Sequence, residues 1–449
     1  MKSFFLLPFL PVLALAKPFQ IEVIDRENGW PVPLVRLETT HNVTFITDNA
    51  GVVAIDSPEL MDREIWLTVS SDGYEVPADR FGNRGIRVTP VSGESHQVKI
   101  GRSSIAKRLG RLTGAGLFAE SQKLGRHLDW KESGIFGCDS IQTTLHRGKK
   151  FWAWGDSAVG QYPLGLFHMT GATTTPAPLR SLEPPLKLPL AYFRAADGRP
   201  RSVAELPGKG PTWLNGYLSL PDKDGTPRLV ATYSKIRNHL DVYRLGLCLW
   251  NEETELFEDH KTLWEHSLKS PKPPRVPEGH PVIHTDPDGV KRAYFGDPFP
   301  ALRMPATFEA WQDPAQWQTL TSQPKVVAKG GLKITPHRGS IAWNSFRKKW
   351  VTVFTQLNGK PSPLGEIWYA EAEHPTGPWE NAVKILSHAK HTFYNPRIHP
   401  DLTPKKSPTL IFEGTYTVSF SNTDIKTPRY DYNQILYRLD LDDPALVQE

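Results

Sequence analysis

Four acidic side chains stand at the ends of, or inside, β-rich runs of this chain. Asp139 opens FGCDSIQTTLH, Asp156 follows Gly155 after FWAW, Asp297 follows Gly296 after RAYF, and Glu413 lies within PTLIFEGT. Carboxylates gathered from separate segments can divide acid–base work. One acts as base or nucleophile, a second protonates a leaving oxygen, and a third orients the substrate or tunes a neighbour. Glycoside hydrolysis needs that division. On this reading Asp139 is the base or nucleophile, with Asp297 and Glu413 as orienting carboxylate and acid. Amides and cations accompany them at related strand ends: Asn215, Lys235, Arg237, His239, His337, Arg338, Asn395 and Arg397, with Asp156 among these substrate contacts. Gathered cations would hold a uronate or sulfate. With His239, Tyr394 or His399 removing a C5 proton, the same set would give β-elimination. A third reading is a glycan-binding surface without chemistry. Asp after Gly also caps turns, which is the structural alternative for Asp156 and Asp297.

These residues can meet only if the chain repeats. The stretch Phe136–Ser157 reads as a β-hairpin turning at Arg147-Gly148-Lys149-Lys150, and its second arm recurs four more times. The copies are RLVATYSK, RAYFGDP, KWVTVFTQ and PTLIFEGT. Their anchor aromatics Trp154, Tyr233, Phe295, Phe354 and Phe412 are separated by 79, 62, 59 and 58 residues. A unit of that length built of short strands predicts a five-bladed β-propeller over 134–449. In an antiparallel hairpin the start of the first strand and the end of the second share one end. That rule gathers the candidate residues at one face of the propeller. Trp152, Trp154, Trp343 and Trp368 are expected in the core.

The aromatic-Gly-Asp strand ends, Asp139 at the start of the first unit and Phe412-Glu413-Gly414 resemble the five-bladed propeller glycosidases, the arabinanase-like and invertase-like enzymes. So does the GPW at Gly377-Pro378-Trp379 after an outer strand. The resemblance implies glycosidase activity through the carboxylates above. Where that pattern has a catalytic Glu in the third blade, this chain has Asp297.

The remaining organisation follows from composition. The chain has 449 residues, 41 Pro, 34 Gly, 14 Trp and a net charge of +5, which suits a turn-rich all-β protein and does not call for nucleic acid. Residues 1–16 read as a signal peptide, with Lys2, an apolar Phe4–Leu13 and a small-residue site at Ala14-Leu15-Ala16; this predicts a secreted or periplasmic protein without membrane insertion. Residues 17–100 alternate as a small β-sandwich. Pro31-Val32-Pro33, Thr47-Asp48-Asn49-Ala50-Gly51 and Ser71-Asp72-Gly73-Tyr74 resemble a carboxypeptidase regulatory-like (transthyretin-like) domain. Residues 101–133 read as a helical linker, from Ile105, Leu109 and Leu112 at helical spacing. Cys138 and Cys248 allow at most one disulfide, which export would permit; a reduced, buried pair is the expected alternative. The motifs require no cofactor and assign no metal ligand; a structural cation such as calcium is compatible with them, and His388 and His391 are spaced for ligation. The expected partner is a carbohydrate, neutral or anionic.

Overall fold

The computed structural model describes residues 17–446 apart from 161–168, 177–181, 239, 321–324, 329–330 and 404. The described chain is almost entirely β, and no described helix is long and apolar enough to cross a membrane. The signal-peptide segment, most of the expected strand Leu164–Met169, and His239 lie outside the described residues.

Two four-stranded sheets form the N-terminal sandwich. One runs Val52–Ile55, Phe19–Asp25, Ser95–Arg102, Tyr74–Glu75; the other Thr44–Ile46, Arg36–Thr39, Ile65–Ser70, Gly85–Val88. Alternation along these strands turns Ile21, Val23, Leu37, Leu67, Val69 and Ile100 into one core. The turn Asp48–Gly51 does more than reverse the chain. Asp48 Oδ1 accepts from Ala50 N and its Oδ2 accepts from Ser121 N at 2.7 Å, while the Asn49 amide donates to Arg111 O and Leu186 O. That turn is therefore an anchor onto the next domain.

Five four-stranded units then build the propeller. Blade 1 is Gly137–His146, Lys149–Ala158, Thr170–Thr174 and Ala191–Tyr192. Blade 2 is Thr212–Pro221, Pro227–Arg237, Asp241–Asn251 and Leu256–Glu265. Blade 3 is Val282–Thr285, Lys291–Gly296, Pro300–Pro305 and Gln318–Thr319. Blade 4 is Pro336–Asn344, Lys349–Gln356, Glu366–Ala372 and Trp379–Ser387, with Val326–Ala328 added in parallel on its outside. Blade 5 takes three strands from the C-terminal part, Thr392–Ile398, Thr409–Thr417 and Asn433–Asp440. All five anchor aromatics fall in second strands and are buried, so the repeat is the core repeat of the blades.

The fourth strand of blade 5 is Lys107–Arg111, from the stretch expected to be a helical linker. Only Ala119–Lys123 is helical there. The spacing of Ile105, Leu109 and Leu112 is real, but the open edge of blade 5 offers a full ladder of hydrogen-bond partners, and that non-local pairing overrides local periodicity. Of the three cations between those apolar residues, Arg108 and Arg111 are buried, and the half-buried Lys107 pairs with Asp440 Oδ2 at 2.6 Å. Arg108 donates to Pro33 O, Ser71 Oγ, Asp72 O and Tyr437 Oη, and so ties the sandwich to the closing strand. Cys138 and Cys248 are free and buried. Trp152, Trp154 and Trp368 are core, whereas Trp343 is 49% exposed: it faces outward in the first strand of blade 4, packed edge-on against Trp350.

Candidate functional site

The first strands of four blades carry the same irregularity. Between Asp139 and Gln142, Asn215 and Leu218, Pro336 and Gly339, and Tyr394 and Arg397, two residues oppose one on the second strand. Such a bulge bends the strand and re-aims a side chain out of the pleat. Here the bulges supply Ser140, His337, Arg338 and Asn395 to one cavity of about 410 Å³, to which Asp139, Asp156, Asn215 and Asp297 also contribute. All five blades line it. Five of its residues hold left-handed backbone: Ser140 at φ 45°, Asp156 at 35°, Asn395 at 52°, Phe420 at 61° and Tyr432 at 56°. Side chains other than glycine pay for that conformation, and such strain collects where geometry matters to function.

Asp139 is the best-positioned carboxyl. Tyr394 Oη donates to its Oδ2 at 2.6 Å, and Tyr394 is itself buried. A Cβ built on Gly155, the residue paired with Asp139, would lie 2.7 Å from Asp139 Oδ1. Glycine there is what admits the carboxylate. Burial raises the Asp139 pKa; the Tyr394 and Ser140 hydroxyls and the Arg338 charge oppose that. Its neighbour Asp156 is pushed up to about 7, by burial first and by the Asp139 charge second, with the Trp213 indole offsetting in part. Asp156 Oδ1 is buried and accepts no hydrogen bond from the described residues. Burial raises both carboxyls of the pair; the donors that favour an anion sit on Asp139, whereas Asp156 is pushed up to about 7.

Asp297 is held differently. Arg338 Nη1 donates to its Oδ2 at 2.8 Å and Gly339 N to its Oδ1 at 2.7 Å. Arg338 also feels Glu278 and Asp139, so one guanidinium sits among three carboxyls. His337 is kept below its ordinary pKa by burial and then by Arg338, which makes it a neutral imidazole near neutral pH. Asn215 Oδ1 accepts from Gly279 N at 3.3 Å and joins blades 2 and 3. Asn395 Nδ2 donates to Ser140 Oγ at 2.8 Å across blades 5 and 1. A second cavity of about 750 Å³ continues from the first through Asn215, Asp297, His337 and Arg338. Its wall carries Glu278, whose pKa burial raises even though its side chain reaches solvent.

Seven of the residues expected at the site therefore meet: Asp139, Asp156, Asn215, Asp297, His337, Arg338 and Asn395. Four do not. Glu413 is fully buried outside the cavity, with His399 Nε2 3.5 Å from its Oε2. Arg397 is buried beside it and donates to Thr143 O. Lys235 spends its ammonium on Leu206 O, Gly210 O and Thr212 Oγ1. Arg237 is exposed over the Tyr243 ring, 5.5 Å from its centroid. Arg397 and Glu413 pair in regular register and face the interior, whereas Lys235 and Arg237 flank a register shift against the third strand of blade 2, and none of the four lines the cavity. His280, Glu278 and Phe420 are the additions, along with Tyr394 in the role of a partner to Asp139. Glu278 lies in the Pro-rich stretch Leu268–Pro281, where no strand period marks which side chains face the cavity.

Cation sites fit less well. His391 is engaged by Asp72 Oδ2 at 3.0 Å, and His388 Nε2 lies 3.4 Å from Tyr437 Oη. The ligand atoms of His284, Asp286 and His374 lie within 4.8 Å of one another. Asp286, however, already accepts from Tyr294, Arg292 and Arg303. Two guanidinium groups on its carboxylate repel a metal, and a nitrogen-rich set does not suit calcium, which takes oxygen ligands.

No family model matches the chain, and no curated protein matches it. Among solved structures it is similar to a GH43 enzyme from Xanthomonas citri, at 9% identity over 75% of this chain and 89% of that one, TM-score 0.39. It is similar to an exo-beta-1,3-galactanase from Phanerochaete chrysosporium at 8% identity over 68% of this chain and 61% of that one, TM-score 0.39. An exo-1,5-alpha-L-arabinanase from a bovine ruminal metagenomic library gives 9% identity over 69% and 94%, TM-score 0.37.

Proposed function

We propose that the protein is a glycoside hydrolase whose substrate enters the funnel of the propeller. One observation carries the reading: Asp139, set by a bulge, a tyrosine and a glycine cradle, shares a cavity with Asp156, which keeps its proton up to about pH 7. An ionised carboxylate facing a protonated one is the equipment of glycosidic cleavage. Asp139 acts as base or nucleophile, Asp156 holds the proton, and Asp297, locked by Arg338 and Gly339, orients the sugar. The rest of the substrate leaves along the second cavity, past Glu278. The N-terminal module serves as a structural, carboxypeptidase regulatory-like sandwich, and residues 1–16 direct export.

A second reading draws on His337. A neutral imidazole beside Arg338 suits β-elimination of a uronate: the guanidinium neutralises the carboxylate, the imidazole takes the C5 proton, the C4–O bond breaks as the C4=C5 double bond forms, and the departing oxygen takes a proton from water. One screen separates the two. The purified protein is incubated with neutral and acidic oligosaccharides of three or more residues, with reducing ends and ultraviolet absorbance read together. New reducing ends without absorbance support hydrolysis; absorbance with them supports elimination.

A further inference from the structure

The segment 418–432 joins the second and third strands of blade 5 and brings Phe420 and Tyr432 to the cavity. Phe420 is an apolar ring left 62% exposed, on left-handed backbone that a bulky residue adopts only at a cost. Its edge meets Tyr394 with ring centroids 5.6 Å apart at 89°, and Tyr394 holds Asp139. Folding gains little from an exposed, strained ring, so the conformation is explained by what the ring faces.

The segment is also tightly fixed. Thr417 and Thr427 both donate to Asp431 Oδ1, Val418 N donates to Thr427 Oγ1, and the Ser419 and Tyr432 hydroxyls meet at 3.0 Å. It is braced from the other domain as well. Arg36 Nη2 of the sandwich donates to Lys426 O at 3.0 Å. His391 bridges Asp72 of the sandwich, through Nδ1, to Ile425 O, through Nε2 at 3.1 Å. The sandwich therefore reaches the cavity wall although the lining residues described there all lie between Asp139 and Tyr432.

We infer that Phe420 is the stacking platform for a sugar ring at the mouth of the funnel, and that Arg36 and the Asp72–His391 pair are positioning residues that hold it there. This rests on the carbohydrate reading above. The C–H face of a pyranose or furanose is the apolar surface such a ring takes, with the sugar hydroxyls left to the carboxylates and amides around Asp139.

The test uses the oligosaccharide that the full-length protein cuts best. Phe420→Ala should raise KM about tenfold with kcat within about threefold, since an exposed platform binds ground and transition states alike. Phe420→Trp should restore KM. Arg36→Ala, a change at a partly exposed side chain, should raise KM about threefold and hasten tryptic cleavage at Lys426 without lowering the melting temperature. If an oligosaccharide binds without being cut, the same comparison is made on Kd. Unchanged KM or Kd in Phe420→Ala, with the wild type active, overturns the platform and leaves the hydrolase standing. A wild type that neither cuts nor binds any glycan of the panel overturns both.

Discussion

Blades 1 and 5 each contribute to two charged clusters, and the clusters differ in almost everything but residue type. In the funnel, Asp139, Asp156 and Asp297 line an open cavity with Arg338 among them. Beneath it, Lys150, Arg397, Asp401, His399 and Glu413 are packed into the body of the propeller, where Lys150 Nζ meets Asp401 Oδ1 at 2.8 Å and lies 4.6 Å from the Trp152 ring centroid. Burial holds His399 well below its ordinary pKa and pushes Glu413 up to about 8, with Lys150 and Arg397 opposing the rise in Glu413. The buried cluster holds the Lys150–Asp401 ion pair and the Arg397 guanidinium, which donates to Thr143 O, beside a neutral His399 and a Glu413 that keeps its proton near pH 7. In the funnel the carboxyls face open space, and there Asp156 is pushed up to about 7 while the hydrogen-bond donors sit on Asp139. The lesson is that exposure to the cavity, and not the presence of a carboxylate, marks the chemistry: Glu413 pairs with Arg397 in regular register beyond the blade 5 bulge and faces the interior.

Three substitutions sharpen this contrast. Asp156→Asn should cost about 10²–10⁴-fold in kcat/KM, the usual worth of a general acid, and should remove a basic limb near pH 7. The sign follows from the raised pKa: the proton is present below about 7 and lost above it, so wild-type activity falls as pH rises through that value. A pH–rate profile reads both effects. Lys150→Met should cost about 3–5 kcal/mol in urea unfolding, because it leaves Asp401 without its buried partner; kcat of the folded fraction should be unchanged, and adding Asp401→Leu should restore stability. Gly155→Ala should lower kcat about 10–100-fold with little change in melting temperature. Its Cβ displaces the mobile end of the Asp139 side chain, not backbone, and a carboxylate moved by an ångström loses alignment.

Much of the architecture was legible. Five buried aromatics announced five second strands, and alternation announced the sandwich, because both signals are local consequences of burying one face of a strand. Lys107–Arg111 was not legible, since its strand exists only when blade 5, whose other strands begin at Thr392, presents an open edge. In the site, the hairpin rule placed Asp139 and Asp156 at one end correctly, and it placed Glu413 with them incorrectly. The rule knows which end of a strand a residue occupies; it does not know which face. Glu278 and Phe420 lie on loops, whose side chains follow no period, and the role of Tyr394 needed the contact with Asp139.

The central claim is that Asp139 acts and Glu413 does not. The direct measurement is turnover of the best-cut oligosaccharide by Asp139→Asn and Glu413→Gln, each confirmed folded by its melting transition. The account predicts a loss of more than about 10³-fold for Asp139→Asn and turnover within about threefold of wild type for Glu413→Gln, whose amide replaces a carboxyl that is already neutral near pH 7. A folded Glu413→Gln without activity, beside an active Asp139→Asn, would contradict it.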